Sequence, residues 1–335
     1  MAANTIRLCD LKDGEEGDFF AMMSTKEELT TRDGKPYFKV GFRDARREVA
    51  FPIWNDSPRA REWRETWATG EFYKIRALYR ETSYGPQLDL RKIRPTREGD
   101  AEDGFDPLTL APRSRFDPER MFEEILALAR EGIEDSALRE TVIKIHEDHR
   151  ETLLRLPAAS RKHHAFAGGY LEHVLSVART CEYWAEKYAE QHDLDPPLSR
   201  ELVIAGALLH DVGKLRELDP RPEGAAYTAA GELLGHVQQG RDVLRETAAE
   251  TGLSPEFLLR LEHVIVSHQG SPESGSPKPP MTLEALLVFH ADACDVQFHQ
   301  FATALRDAAP NESFTSDKNP LRRRIYRGTI DATLE

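Results

Sequence analysis

His210 and Asp211 stand side by side at the end of an apolar run, residues 204–209. Both side chains are metal ligands, and a buried carboxylate without a cation or a hydrogen-bond partner costs several kcal/mol. Ligand types recur on other apolar segments, at His173, His236, His268 and Asp292. Because so many separate burials of polar groups would be costly without a cation, the set predicts a metal site rather than isolated structural histidines.

The chemistry that this set could perform is the hydrolysis of phosphate esters. Imidazoles and carboxylates without thiolates suit Mn²⁺, Fe²⁺ or Zn²⁺, and suit Mg²⁺ less well. The ligands predicted for a first ion are His173, His210, Asp211 and Asp292, and Asp211 is predicted to bridge to a second ion on His236 and His268. Two ions about 4 Å apart lower the pKa of a shared water and neutralise phosphoryl oxygens. We therefore expect one or two divalent ions, with Asp211 as a catalytic residue.

Neighbouring side chains are weaker candidates. Lys214, one helical turn past Asp211, is predicted to be catalytic through contact with a substrate phosphate, and the alternative is an ordinary cation near a helix end. His163 and His164 are predicted to contact substrate, or else are polar residues of the loop before the helix of His173. Cys294 is expected to be a small buried apolar side chain rather than a ligand.

Helical periodicity indicates which way these side chains point. With a step of about 100° per residue, His173 lies at the edge of the apolar face of its predicted helix. Asp292 falls on an apolar stripe, where a bare carboxylate would be costly. In the segment 257–270, His268 lies on the apolar side and His263 about 140° away, so we prefer His268 as the ligand.

The first hundred residues alternate between strand and turn patterns. Strands are predicted over 19–25, 37–43, 48–53, 71–79 and 87–93, with a short helix from Ser57 to Trp67. Three strands, a helix and two strands is the order of a five-stranded Greek-key barrel, the OB-fold, which often binds single strands. We predict an α+β multidomain protein: an OB-fold nucleic-acid-binding domain over 1–96, a linker over 97–115, an all-α domain over 116–315 and a basic tail over 316–335.

Single-strand binding by the barrel would need aromatic faces beside basic side chains. The candidates are Phe38, Tyr73, Tyr79, Arg76 and Arg91. Aromatic residues at alternate strand positions are more often core residues, so a core role is the alternative. The arginine-rich segment 318–327 could assist RNA binding or be a solvated charge run. The Pro- and Gly-rich segment 270–280 is either a rim or lid of the site or a plain connector.

Charge is unevenly distributed along the chain. The net charge of the 335 residues is −13; residues 1–96 hold 18 basic and 16 acidic residues, or +2, which leaves 27 and 42, or −15, for the rest. An acidic part suits a site that gathers divalent cations, and the first part could still follow a phosphate backbone. We find no run of 18 apolar residues and no secretory signal, so we expect a cytoplasmic protein with no membrane partner. A homo-oligomer is compatible with this composition.

Longer stretches resemble the HD-domain metal phosphohydrolases, and more closely the YhaM family of 3′-to-5′ exoribonucleases, which join an OB-fold to an HD domain. The matching stretches are 156–159, 163–173, 204–214, 234–236, 267–270, 275–277 and 290–292. The resemblance covers most of the chain. The ligands alone are generic, and these flanking stretches together with the predicted barrel make the resemblance specific.

The resemblance implies a nuclease that favours Mn²⁺ and removes mononucleotides from the 3′ end of single-stranded RNA, with single-stranded DNA as a further substrate. It assigns metal binding to His173, His210, Asp211 and Asp292, with His236 and His268 as candidates for a second ion. Where family members have another histidine directly after the position of His268, this chain has Gln269, a poorer ligand. Alternatives are an HD-type nucleotide or cyclic-dinucleotide phosphohydrolase, or a non-catalytic nucleic-acid-binding regulator.

Overall fold

The computed structural model describes residues 5–31, 33–55, 60–82, 85–110, 113–160, 164–221, 224–306 and 312–328. The chain divides into two compact units. The first comprises residues 1–113 with 221–224, and the second comprises residues 114–220 with 225–335.

The first unit is built on one antiparallel sheet. Its strands are β1 (Glu16–Thr30), β2 (Pro36–Arg43), β3 (Glu48–Trp54), β4 (Phe72–Thr82) and β5 (Gly85–Pro95), with helix α1 (Ala60–Thr66) between β3 and β4. The strand order is β3-β2-β1-β4-β5, and the two outer strands, β3 and β5, contact each other, so the sheet curls towards closure. The register of β1 on β2 shifts between Met23 and Thr25, a bulge of the kind that lets a long strand bend. This is the OB-fold that the sequence predicts.

The aromatic candidates of the barrel lie in its core. Phe38 is fully buried and stacks on Trp63, with ring centroids 4.0 Å apart. Tyr73 and Tyr79 are also buried, and the Tyr73 hydroxyl accepts a hydrogen bond from the Ala68 N–H. The prediction that Phe38, Tyr73 and Tyr79 stack on bases is therefore wrong, because alternate positions on these strands face the inside of the curled sheet.

Residues 97–113, for which the sequence predicts a linker, group with the first unit. They contain a 3₁₀ helix, Glu98–Asp103, and the short helix α2 (Pro107–Leu110). The buried Asp100 carboxylate accepts hydrogen bonds from the Arg94 guanidinium at 2.6 and 2.7 Å and from the Arg97 N–H at 2.8 Å. These bonds tie the segment to the end of β5.

The described part of the second unit is mainly helical. The strands β6 (Leu218–Arg221) and β7 (Gly224–Tyr227) pair with each other, which the apolar pattern does not predict, and residues 221–224 group with the first unit. The helices of the second unit are α3 (Pro118–Gly132), α4 (Ser136–Asp148), α5 (Arg150–Leu153), α6 (Gly169–Gln191), α7 (Arg200–Leu209), α8 (Lys214–Glu217), α9 (Ala229–Thr251), α10 (Pro255–Ser267) and α11 (Leu283–Arg306). Helix α7 is buried continuously from Leu202 to Leu209 and contacts α3, α4, α6, α10 and α11. A helix that is apolar on all sides belongs at the centre of a bundle, and α7 holds that place.

Side-chain caps set where the helices begin. Asp117 and Asp135 cap α3 and α4, and Ser199 and Ser254 cap α7 and α10. Among the helices that the structure describes, none combines the length and the apolar character that a membrane crossing requires.

Candidate metal centre

Helix ends bring the predicted ligands together inside the second unit. His210 and Asp211 follow the last residue of α7, and His268 follows the last residue of α10. His173 comes from the first turns of α6, and Asp292 from the middle of α11. The rings of His210 and His268 lie with their centroids 5.3 Å apart, so the carboxyl ends of α7 and α10 meet at this point.

Asp211 lies at the centre of this cluster and uses its two oxygens differently. Its Oδ2 is 3.6 Å from His173 Nε2 and 3.8 Å from His210 Nε2. Its Oδ1 is 3.4 Å from His236 Nε2 and 3.5 Å from His268 Nε2. One carboxylate therefore faces two pairs of imidazoles.

The ligand atoms of the predicted residues fall into two groups, each small enough to surround one ion; a third such group, His164, His173 and Asp295, shares His173 with the first. His173, His210 and Asp292 form one group and Asp211, His236 and His268 the other, with ligand atoms within 4.8 Å of one another in each. All six metal-ligand candidates from the sequence lie in these groups. The sequence assigns Asp211 to the first ion, and here it groups with His236 and His268 while its Oδ2 faces His173 and His210; its role as a bridge stays a prediction.

The second nitrogen of each imidazole is already engaged. His210 Nδ1 lies 2.8 Å from the Ala207 carbonyl and His268 Nδ1 lies 2.7 Å from the Ile265 carbonyl. A carbonyl only accepts, so both Nδ1 atoms carry hydrogen, and in the neutral rings Nε2 offers its lone pair to the site. His173 Nδ1 and His236 Nδ1 are held by carboxylates, Asp295 at 2.7 Å and Glu217 at 3.0 Å. Such outer contacts are typical of histidines that bind metal.

A divalent cation fits this donor set. Lone pairs and carboxylate oxygens converge with few hydrogens between them, which is unfavourable unless a proton or a cation intervenes. His268 Nε2 is buried and has no hydrogen-bond partner among the described residues. His210 Nε2 lies 3.2 Å from His173 Nε2, and two acceptors at that distance repel each other. The observed geometry is therefore that of a site made for positive charge.

In the absence of metal, the pKa shifts of His173 and His210 also indicate a site for positive charge. Burial lowers the pKa of His173, but its contacts with Asp292 and Asp295 outweigh burial and raise that pKa to about 10. Burial lowers the pKa of His210 to about 4. Two touching rings with opposite shifts hold one proton between them, which a divalent ion would displace.

Lys214 is buried against Asp211. Its Nζ lies 3.1 Å from Asp211 Oδ2 and donates to the Ala158 carbonyl at 2.5 Å. Burial lowers the pKa of Lys214, and the Asp211 and Glu217 carboxylates reverse this and raise it. The side chain thus holds Asp211 in its charged form; whether it also contacts a phosphate stays a prediction.

Two carboxylates that sequence reasoning missed complete the site. Asp295 accepts from His173 Nδ1 and from the Ser176 hydroxyl at 2.5 Å. Glu217 Oε1 accepts from both the backbone N–H and Nδ1 of His236, at 2.9 and 3.0 Å. Spacing could have indicated Asp295, because it lies three residues after Asp292 on the same helix face.

His164 lies behind this arrangement rather than at its centre. Its Nε2 is 3.1 Å from Asp295 Oδ2, and its ring packs on His299 with centroids 4.1 Å apart. His164 thus supports Asp295, which supports His173. His163, the other candidate of this pair, lies outside the described residues.

Two glycines allow α9 to present His236. Gly235 has φ +71°, a left-handed conformation that interrupts the helix and reorients the residue after it. Gly213 follows the His-Asp pair, and a Cβ there would lie 1.8 Å from the His236 carbonyl oxygen. Only glycine lets the two backbones approach this closely.

Gln269 lies beside the second group. Its Nε2 is 3.0 Å from His236 Nε2, and its backbone N–H donates to the Ser276 hydroxyl at 2.9 Å. The segment 270–280 therefore adjoins the site at this point, which supports its prediction as a rim. His263 lies apart from both ligand groups, and its Nε2 accepts from the Met281 N–H.

The basic candidates of the barrel are on its surface. Arg76 pairs with Asp18 on the neighbouring strand, and Arg91 lies 3.3 Å from Glu16. Their side chains are 45% and 50% exposed. Their role in substrate binding stays a prediction.

A cavity of about 1050 Å³ lies elsewhere, between α6 and α11. Its lining is mainly apolar and includes Trp184, Leu287 and Phe301. Cys294 also lines it and is exposed, so the expectation that Cys294 is buried is wrong. It lies two residues from Asp292, about 200° around the helix and hence on another face.

Comparison with known families identifies an HD domain over residues 170–297, a span that contains every residue of the two ligand groups. A "3′-5′ exoribonuclease YhaM" from Geobacillus sp. (strain WCH70) is 31% identical over 300 residues, covering 89% of this chain and 88% of that protein. The protein of the same description from Bacillus subtilis (strain 168) is 30% identical over 299 residues, covering 89% and 90%.

Among solved structures, the second OB-fold domain of replication protein A from Methanococcus maripaludis matches 28% of this chain and 96% of its own, at 13% identity and a TM-score of 0.22. A likeness this slight adds nothing to the strand order described above.

Proposed function

This chain belongs to the family of the YhaM 3′-5′ exoribonucleases, and from that premise we propose that it shortens single-stranded RNA from the 3′ end and releases nucleoside 5′-monophosphates. The reaction is a metal-dependent phosphodiester hydrolysis, in keeping with the HD domain. Single-stranded DNA is a further substrate in this proposal, and Mn²⁺ is the ion, because imidazole and carboxylate ligands suit it better than Mg²⁺.

The observation that carries the proposal is the position of Asp211 between two groups of imidazoles. We assign a first ion to His173, His210 and Asp292, a second ion to His236 and His268, and the bridge to Asp211. When bound, two such ions lower the pKa of a water between them and neutralise charge on phosphoryl oxygens.

Neighbouring side chains set the charge and the orientation of the ligands. Lys214 keeps Asp211 ionised, and its second bond to the Ala158 carbonyl fixes the ammonium in place. Asp295 and Glu217 set the tautomer and orientation of His173 and His236, so that each ring directs Nε2 inward.

One side of the site is more accessible to solvent than the rest. The His236 and Asp292 side chains are each 14% exposed, whereas those of His173, His210, Asp211 and His268 are 4% or less. We propose that the terminal phosphodiester enters beside His236 and Asp292. The deeper ligands then remain shielded from solvent, which strengthens the interactions of their charges.

Labelled RNA tests the proposal directly. With Mn²⁺, RNA labelled at the 3′ end should release a labelled mononucleotide at once, and RNA labelled at the 5′ end should shorten stepwise. The His210→Ala, Asp211→Ala double variant should yield no product, whereas His192→Ala, at an exposed histidine beyond α6, should act like wild type. Internal cleavage, or no product from a metal-loaded protein, would contradict the proposal.

A further inference from the structure

The described segment 312–328, here called the basic loop, is closed by two aromatic residues. Phe314 and Tyr326 face each other across an antiparallel bridge, with ring centroids 5.1 Å apart. The Thr315 N–H donates to the Ile325 carbonyl at 2.9 Å, and Thr315 and Ile325 are buried. The ring pair therefore stands at the neck of an ordered loop, not on a free tail.

Hydrogen bonds inside the loop fix its shape. Asn319 Nδ2 donates to the carbonyls of Ser316 at 2.6 Å and Arg323 at 2.7 Å. Arg322 has φ +51°, a left-handed conformation that is unfavourable for a side chain of this kind. Strained residues held by their surroundings are often found in binding loops.

The loop exposes aromatic surface next to guanidinium groups. Phe314 is 38% exposed and Tyr326 is 56% exposed. The Arg324 guanidinium lies 4.8 Å from the Phe314 ring centroid, and that of Arg323 lies 5.2 Å from the ring of Phe301 on α11. Exposed rings beside guanidinium groups are the pairing that single-strand binding needs, and the barrel residues Phe38, Tyr73 and Tyr79 are buried instead.

The charge of the loop is unbalanced. Residues 312–328 contain five basic and two acidic residues, a net +3 in a chain of net −13. Lys318, Arg322, Arg323 and Arg324 are exposed and form no ion pair with any residue that the structure describes. By contrast, Arg150 and Arg216 in the same unit bind surface glutamates. Unpaired cations beside exposed rings suit a polyanion with aromatic bases, which is a single-stranded nucleic acid.

We propose that the basic loop is a second RNA-binding surface, which binds the strand at nucleotides upstream of the reacting 3′ end; this rests on the proposed function. Phe301, against which Arg323 packs, is nine residues beyond Asp292 on α11. That is about 14 Å along the helix axis and half a turn around it. The loop therefore contacts nucleotides upstream of the terminal phosphodiester, and its contribution depends on substrate length.

Binding and length dependence test this surface in the full chain. The affinity for a 20-nucleotide RNA labelled at the 5′ end is measured in EDTA, so that hydrolysis is absent. Replacing Arg322, Arg323 and Arg324 by Gln should weaken binding at least tenfold and reduce the slope of log affinity against log salt by about 2, since each phosphate contact on a single strand contributes about 0.7. Hydrolysis of a dinucleotide with Mn²⁺ should be unchanged.

The matched control removes the same charge from other exposed positions of the second unit, by Gln at Arg120, Arg130 and Arg179. Phe314→Leu with Tyr326→Leu should weaken RNA binding about tenfold and leave binding of inorganic polyphosphate unchanged, because polyphosphate has no bases to stack. Equal RNA affinity of the loop triple variant and the control would overturn the proposal. Because binding is measured without metal, its outcome is independent of whether the chain hydrolyses RNA.

Discussion

His173 Nε2 and His210 Nε2 face each other at 3.2 Å, although each ring already uses its Nδ1 elsewhere. The His210 Nδ1 hydrogen points to a backbone carbonyl, so its Nε2 is an acceptor in the neutral ring. The contact is stable only with a proton on His173 or with a cation between the rings. The proposed ion therefore removes a repulsion between two nitrogen lone pairs. This repulsion follows from the backbone contact of His210 Nδ1, not only from the residue types.

Asp295 should matter for metal affinity although it lies outside the two ligand groups assigned to the ions. Asp295→Asn removes the charge that fixes the Nδ1 hydrogen of His173. Loss of such an outer partner typically weakens metal binding about 10- to 100-fold. Mn²⁺ titration followed by electron paramagnetic resonance measures this, with Asp242→Asn on the exposed side of α9 as the control. Wild-type affinity in Asp295→Asn would show that the carboxylate does not orient His173.

Gln269 should limit the affinity of the second ion. Its amide lies 3.0 Å from His236 Nε2, and Gln269→His would place an imidazole on this side of the site. We expect the weaker ion to bind about tenfold more tightly, since imidazole is the better ligand. Calorimetric titration with Mn²⁺ resolves the two ions, and Gln297→His on α11 is the control. An unchanged affinity for the second ion would mean that the side chain of residue 269 points away from that ion.

Gly213 should be required for the packing that brings α9 to the site. A Cβ at this position would lie 1.8 Å from the His236 carbonyl oxygen and 2.4 Å from the Gly240 nitrogen, both backbone atoms. Gly213→Ala should lower the free energy of unfolding by about 3 kcal/mol or more, because backbone must move. Gly99→Ala, where a Cβ meets nothing within 4 Å, is the control for chemical denaturation. Equal stability of the two variants would contradict the close packing.

His146 should make the protein sensitive to acid independently of metal. It is fully buried in α4, its Nδ1 donates to the Val142 carbonyl, and burial lowers its pKa to about 4. Because the folded pKa lies below the unfolded value of about 6.5, the folded state loses stability as pH falls between the two. At pH 5 the loss is roughly 2 kcal/mol.

His146→Leu should remove this part of the pH dependence. Denaturation of wild type and variant in EDTA at about pH 7.5 and pH 5 gives the double difference, with exposed His192→Leu as the control. If wild type and His146→Leu lose the same stability between the two pH values, the ring is not buried in the neutral form.

The sequence predicts the ligands better than it predicts what holds them. His210, His268 and Asp292 could be identified because each lies on an apolar segment whose period indicates one direction. Spacing indicates only that Asp295 shares a helix face with Asp292. Its role could not be predicted, since its partners His173 and Ser176 lie far away in the chain and meet it only through the packing of α6 on α11.

The core of the barrel is a second feature that the sequence predicts only in part. Alternation shows that Phe38 and its neighbours share a face, but not whether that face is open or enclosed. Closure depends on the contact between β3 and β5, which no local pattern encodes. The exposed rings Phe314 and Tyr326 stand next to arginines in a segment whose local pattern indicates only a charge run.

Anomalous diffraction at the manganese absorption edge, from crystals of the full chain grown with Mn²⁺, locates the proposed ions. We expect two peaks about 4 Å apart, one bound by His173, His210 and Asp292 and the other by His236 and His268, with Asp211 between them. If only the peak bound by His236 and His268 is weaker, the poorer ligand Gln269 beside it accounts for the difference. Mn²⁺ bound elsewhere, with no peak among these side chains, would rule out the proposed metal centre.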